Sequence, residues 1–104
     1  MALKTNTPVG STLGIDIQNA YIRVTVIDGP VGNSLQIFMQ CFASLDAFEK
    51  EKTEFLPTDF DNAIVVPYDR AKDGVDTLAF GHQKAIEYLA TKGIDAVILL
   101  DSLI

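Results

Sequence analysis

Two alternating runs joined by one turn constrain this chain more than any other feature. From Asn19 onward, Ala20, Ile22, Val24 and Val26 alternate with Tyr21, Arg23, Thr25 and Ile27. After Asp28-Gly29-Pro30-Val31-Gly32-Asn33, Leu35, Ile37, Met39, Cys41 and Ala43 alternate with Gln36, Phe38, Gln40 and Phe42. A period of two is the pleat of a strand, and the residues between the runs supply positive φ and a fixed bend. The two runs predict an antiparallel hairpin over 19–44, with one apolar face and one mixed face.

The rest of the chain supplies elements to pack on that hairpin. Leu78, His82, Ala85 and Leu89 form one stripe at helical spacing, with Ala79, Ile86 and Ala90 beside it, and Asp76 is placed to cap the start. Gly93 falls where a helix end needs positive φ, so a helix is expected over 76–92. Asn62 to Tyr68 has a β-branched centre, Ile64-Val65-Val66, and Pro67 puts its end or the whole strand at a sheet edge. Thr53 to Asp59, broken by Pro57, is at best an edge strand, and Ile94 to Leu100 suits a final strand. Ser44 to Phe48 reads as a short capped helix start, and Asp69 to Gly74 as a polar loop. Residues 1–12 carry Thr, Asn, Gly and Pro without periodicity and read as a flexible N-terminal arm. The expected organisation is that arm followed by a single α+β domain over 13–104: an antiparallel sheet of three to five strands with the C-terminal helix packed on one face.

Composition narrows the function classes. The chain has 104 residues, a single domain's worth. Its apolar content of 48% and charged content of 21% describe an ordered globular protein. Eight basic against 14 acidic residues give a net charge of −6, which opposes sequence-independent binding to phosphate backbones. One Cys and one His allow neither an internal disulfide nor a thiolate-rich zinc site. No apolar run approaches the roughly 20 residues that span a bilayer, and Met1 to Pro8 lacks the apolar middle of a signal peptide. The expectation is a soluble protein made in a reducing cytoplasm, with no nucleic-acid or membrane partner.

The strings that invite a chemical reading each fail on context. Leu13-Gly14-Ile15-Asp16-Ile17 followed by Tyr21 to Asp28 is similar to the first phosphate hairpin of the actin and sugar-kinase ATPases. Gln18-Asn19 stand where that hairpin needs small residues, and that fold needs two large halves. Asp59-x-Asp61-Asn62 opens like a calcium loop, but Ile64 and Arg70 occupy the positions that require Gly and Glu. Asp69, Asp73 and Asp76 surround Gly74, and Asp76 is better placed as the helix cap than as a ligand. His82 falls on or beside the apolar stripe of the helix, without a nucleophile elbow elsewhere, so a packed and hydrogen-bonded imidazole is expected. Cys41 lies in the apolar register of its strand, where a buried, unreactive thiol is expected. No catalytic residue, cofactor, metal or small-molecule substrate is assigned.

What departs from a plain domain is the mixed face of the hairpin, where Tyr21, Ile27, Phe38 and Phe42 stand among Arg23, Thr25, Gln36 and Gln40. Either the C-terminal helix covers it and a second layer covers the other face, or it is a protein-binding surface, because Tyr, Phe and Arg are enriched in interface cores. Asn19-Ala20-Tyr21-Ile22-Arg23-Val24, Ala43-Ser44-Leu45-Asp46-Ala47-Phe48 and Ala85-Ile86-Glu87-Tyr88-Leu89, preceded by Met1-Ala2-Leu3-Lys4, together resemble small structural proteins of tailed bacteriophages. The resemblance implies a non-enzymatic virion building block of the tail, collar or fibre, located in the particle after synthesis in the host bacterial cytoplasm. It implies several copies, each contacting other virion proteins and itself as a homo-oligomer. Tyr21, Arg23, Phe38, Phe42 and the arm residues Leu3 and Val9 are the expected protein-interface residues. The alternative is a small acidic cytoplasmic binding or inhibitor module that imitates nucleic acid, which requires the acids to share one exposed face. A small enzyme using His82 with Asp73 or Asp76 would require a concave pocket around that imidazole.

Overall fold

The computed structural model describes residues 2–12, 14–29, 32–44, 49–50, 54–73 and 76–99. Its strands are β1 (Ala2–Thr5), β2 (Val9–Gly10), β3 (Asp16–Ile17), β4 (Tyr21–Asp28), β5 (Ser34–Phe42), β6 (Glu54–Phe55), β7 (Ala63–Pro67) and β8 (Ala96–Leu99), and its helices are α1 (Arg70–Asp73) and α2 (Thr77–Thr91). The expected hairpin is β4 and β5, in register from Tyr21 opposite Phe42 to Asp28 opposite Leu35. The Gly29 N–H donates to the Ser34 carbonyl at 3.0 Å. Asn33 takes a positive φ of 59°. Its short polar side chain tolerates that conformation.

Five strands continue the sheet from β6 through β5, β4 and β1 to β8, and β7 pairs with the same side of β5 as β6, making six strands among the described residues. Every pairing is antiparallel. β7 takes Ser34 to Phe38 of β5, and β6 takes Cys41 and Phe42. A separate two-stranded sheet of β2 and β3 is fastened to the segment before β7: Thr58 N–H donates to the Gly10 carbonyl, and Gly10 N–H to Asp59 Oδ2 at 2.8 Å.

The architecture is the expected α+β one, with α2 on one face of the sheet. The N-terminal stretch is a correction. Residues 2–5 of the expected arm form β1, which lies between β4 and β8 in the interior of the sheet, and Leu3 and Val9 are fully buried. So short a segment cannot announce a strand by periodicity; two partner strands far away in sequence supply the ladder. Thr5 is fixed on both sides, its N–H donating to the Ala20 carbonyl and its Oγ1 accepting from Ala20 N–H at 2.9 Å.

The core forms on the helix face. Leu3, Ile22, Val24, Ile37, Met39 and Cys41 rise from the strands to meet Ala85 and Leu89 of α2, and Val9, Phe55, Phe60, Ile94 and Ala96 close its rim. The helix starts where Asp76 Oδ1 accepts from Ala79 N–H at 3.0 Å. That bond relieves one of the free donors of the first turn. The helix is followed by Gly93, whose φ of 80° turns the chain toward β8. The segment expected as a polar loop over 69–74 includes the single turn α1, held by the Asp69 carbonyl accepting from the N–H groups of Lys72 and Asp73. The helix start expected over 44–48 lies, apart from Ser44, outside the described residues.

Candidate functional site

The register separates two sheet faces. Ala2, Lys4, Tyr21, Arg23, Thr25, Ile27, Gln36, Phe38, Gln40, Phe42, Ala63, Val65, Val97 and Leu99 alternate onto the side opposite α2. Among the described elements none packs across this side. Its two ends differ. Near β1 and β8, Tyr21 and Phe42 meet at 6.5 Å between ring centroids, tilted by 50°, and both are buried with Ala2 in a cluster that includes Leu99. Toward the β4–β5 turn the face opens: Ile27 is 48% and Val65 49% exposed, Thr25 and Gln40 are exposed, and Phe38 is half-buried.

The expected interface residues therefore sort unevenly. Arg23 and Phe38 stand half-buried on the helix-free face. Tyr21 and Phe42 share that face but are buried within the chain, so their rings stabilise the sheet before they meet anything else. Leu3 and Val9 are removed as contact candidates, because both are core residues on the helix side. Ile27, Val65 and Val97 belong to the face and are missing from the contacts expected from sequence. The alternation that places Ile27 also applies to Val65, but only the register of β7 on β5 puts Val65 beside Gln36.

A shallow cavity of about 340 Å³ opens where β6 and β7 leave the middle of β5 uncovered, lined by Thr25, Phe38, Met39, Gln40, Glu54 and Asn62. A longer groove of about 490 Å³ runs between β7 and α2, lined by Asp61, the consecutive residues Ala63 to Val66, and Lys84, Glu87, Tyr88 and Thr91. Its lower wall is braced by the Asp61 N–H donating to Tyr88 Oη at 3.0 Å and by Phe60 packed edge-on against the Tyr88 ring. Lys84 and Glu87, three residues apart on α2, pair along its rim at 3.3 Å, both substantially exposed. Such a pair holds the geometry with little net energy.

The groups with chemical potential are engaged in structure. His82 is buried, with Nδ1 2.7 Å from the Leu78 carbonyl oxygen one turn back and Nε2 buried without a hydrogen-bond partner. Its Nδ1 therefore carries the proton in the neutral ring. Asp76 and Asp73, weighed with it at the sequence level, spend carboxylate oxygens on the N–H groups of Ala79 and Asp69. Burial first, and the neighbouring Glu54 carboxylate second, push the Cys41 thiol from 9.0 up to about 12. That is the opposite of nucleophile activation. No set of three or more His, Cys, Asp or Glu side chains gathers into a metal site among the described residues. No described helix is long and apolar enough to cross a membrane.

The acids do not share one surface. Asp28 and Asp69 lie at the turn end of the β4–β5 hairpin, whereas Glu54 stands opposite Phe42 at the other end, and Asp95 bonds Asn6 beyond the end of β1. Comparison with protein families, with curated proteins and with solved structures finds no match to this chain.

Proposed function

We propose that the chain is a structural subunit that works through protein contacts, a building block of a tailed-phage particle as its sequence resemblance implies, with other virion proteins and further copies of itself as neighbours. The observation that carries this reading is the helix-free sheet face. Among the described elements α2 covers one side of the sheet, and the open part of the other side mixes Phe38, Ile27 and Val65 with Thr25, Gln36, Gln40 and Arg23. Apolar area mixed with polar groups and an arginine is the composition of a protein interface, since the apolar part gains by desolvation while the polar groups and the guanidinium still offer hydrogen bonds. The spread of acids over both ends of the hairpin favours this reading over a nucleic-acid mimic.

The test is the solution mass across a concentration series, by light scattering after size exclusion. A discrete multimer of the 11.3 kDa chain is the expected result. A single chain at every concentration overturns the self-assembling subunit.

A further inference from the structure

The outer edge of β7 is an unused hydrogen-bonding strand. Among the described residues no strand pairs with it on the side away from β5. The groove beside it is lined by four consecutive residues, Ala63 to Val66. Successive strand side chains point to opposite faces, so a cavity that touches all four takes in the backbone edge of β7 as well as the side turned to α2.

The direction of each backbone group follows from the ladder. Met39 N–H donates to the Asn62 carbonyl and Tyr68 N–H to the Asn33 carbonyl, both at 2.8 Å, and both pairs lie on the register that sets Ile37 opposite Ile64. In an antiparallel ladder hydrogen-bonded pairs alternate with non-bonded ones. Residues 62, 64, 66 and 68 therefore direct their amides to β5, and Ala63, Val65 and Pro67 direct theirs outward. Ala63 and Val65 present N–H and C=O; Pro67 presents only C=O.

From this pattern we propose that β7 pairs with β7 of a second copy of the chain, antiparallel about a two-fold axis at Val65, so that the sheets of the two subunits join edge to edge. The proposal rests on the reading of the chain as a self-assembling subunit and names the surface it uses. The edge is self-complementary. Val65 N–H and C=O exchange bonds with the Val65 of the partner subunit, and each Ala63 N–H meets the Pro67 carbonyl across the axis. The one missing donor, at Pro67, falls on the last rung, where it leaves only the Ala63 carbonyl to water. Strand residues Ala63 to Val66 carry no charge and no bulge. Those are the devices by which soluble proteins protect an edge, and Pro67 blunts only its final position. The axis stands perpendicular to the sheet, so both α2 helices come to one side and the helix-free faces become one continuous surface. Ile64 and Val66 of each subunit then enter the other's groove, shielding apolar side chains that are partly open in the single chain.

The same register sets exposed Asp61 opposite Asp69 of the other copy, so like charges face each other outside the ladder. Added salt screens that repulsion, and the dimer tightens with ionic strength.

Val65→Pro tests the proposal. It deletes the outward N–H while leaving the bonds to β5 in place, and an edge position tolerates the ring. The wild type is expected as a pair of chains at the lowest concentrations where it is assembled, with Val65→Pro returning to a single 11.3 kDa chain at those concentrations. Amide exchange of the unmodified protein gives a readout independent of any variant: protection at Ala63 and Val65 rises with protein concentration. A multimer whose mass ignores Val65→Pro, or whose Ala63 and Val65 amides exchange at a concentration-independent rate, overturns the edge pairing and leaves the self-assembling subunit standing. A dimer that loosens with salt assigns the contact to a charge-paired surface and also overturns it. A single chain at every concentration overturns both.

Discussion

Gly81 of α2 rests against Val26 of β4 so closely that a Cβ built on Gly81 overlaps Val26 Cγ2. Gly in mid-helix costs about 1 kcal/mol relative to Ala, and here that cost permits the helix to approach the sheet. Gly81→Ala is expected to destabilise by about 1–3 kcal/mol despite the better helix former, because the added methyl has no room. Val26→Ala in the same chain should recover part of the loss. Urea unfolding of the single and double variants measures both; a Gly81→Ala protein more stable than the wild type contradicts the close approach.

Cys41 gives a pH signature. Its pKa rises from 9.0 to about 12 on folding, so above pH 9 the unfolded chain releases a proton that the folded chain keeps. The stability owed to this group is complete below pH 9 and declines by about 1.4 kcal/mol per pH unit as pH rises toward 12. Unfolding midpoints compared at pH 8 and pH 10.5 should fall less in Cys41→Ala than in the wild type. Equal slopes remove the burial effect. In the native protein the thiol should also resist alkylation at pH 8 and react at an ordinary rate in urea.

Leu3 separates an arm from a strand. The side chain is fully buried. Truncating a buried Leu costs about 2–5 kcal/mol, whereas truncating one on a mobile arm costs almost nothing. Leu3→Ala is therefore expected to lower stability as much as Ile22→Ala, its cross-strand partner in β4. A loss below about 0.5 kcal/mol would return residues 2–5 to the status of an arm.

Asp76 holds the first turn of α2 through Ala79 N–H. Asp76→Ala should cost about 1 kcal/mol, and Asp76→Asn or Asp76→Ser much less, because the bond needs an acceptor oxygen and only secondarily a charge. Thermal unfolding of the three variants at one pH orders them. An Ala variant as stable as the Asn variant shows that the cap carries no weight.

The difference between what could and could not be read from the residues is one of range. β4, β5 and α2 are long enough for their periods of 2 and 3.6 to repeat, and Asp76 and Gly93 mark the helix ends by local chemistry. β7 was legible as a strand that either ends at Pro67 or lies at an edge, because Pro67 removes a donor that an interior strand needs. β1 was not: Ala2 to Thr5 is a strand only because β4 and β8 arrive on either side, the second of them from the far end of the chain. The candidate face shows the same division. Alternation put Arg23 and Phe38 on one shared face, but that α2 takes the other face follows from the fold. That Tyr21 and Phe42 are buried on the shared face against Ala2 follows from β1, and Val65 joins that face only through its register with Gln36.

Phe38 is where stability and assembly should come apart. It stands half-buried on the helix-free face, opposite Thr25 on one side and Ala63 on the other, so few side chains depend on it for packing. Phe38→Ser is expected to shift the unfolding free energy by about 1 kcal/mol, well under the roughly 3–5 kcal/mol of a core aromatic. If the face joins subunits or neighbours, the same change removes a central apolar contact and its desolvation gain, and assembly beyond the edge-paired dimer is lost while the dimer remains. Light scattering and urea unfolding on the same samples give the two readings. A core-sized loss of stability moves Phe38 into the fold's own packing, and an unchanged distribution of masses takes the helix-free face out of the assembly.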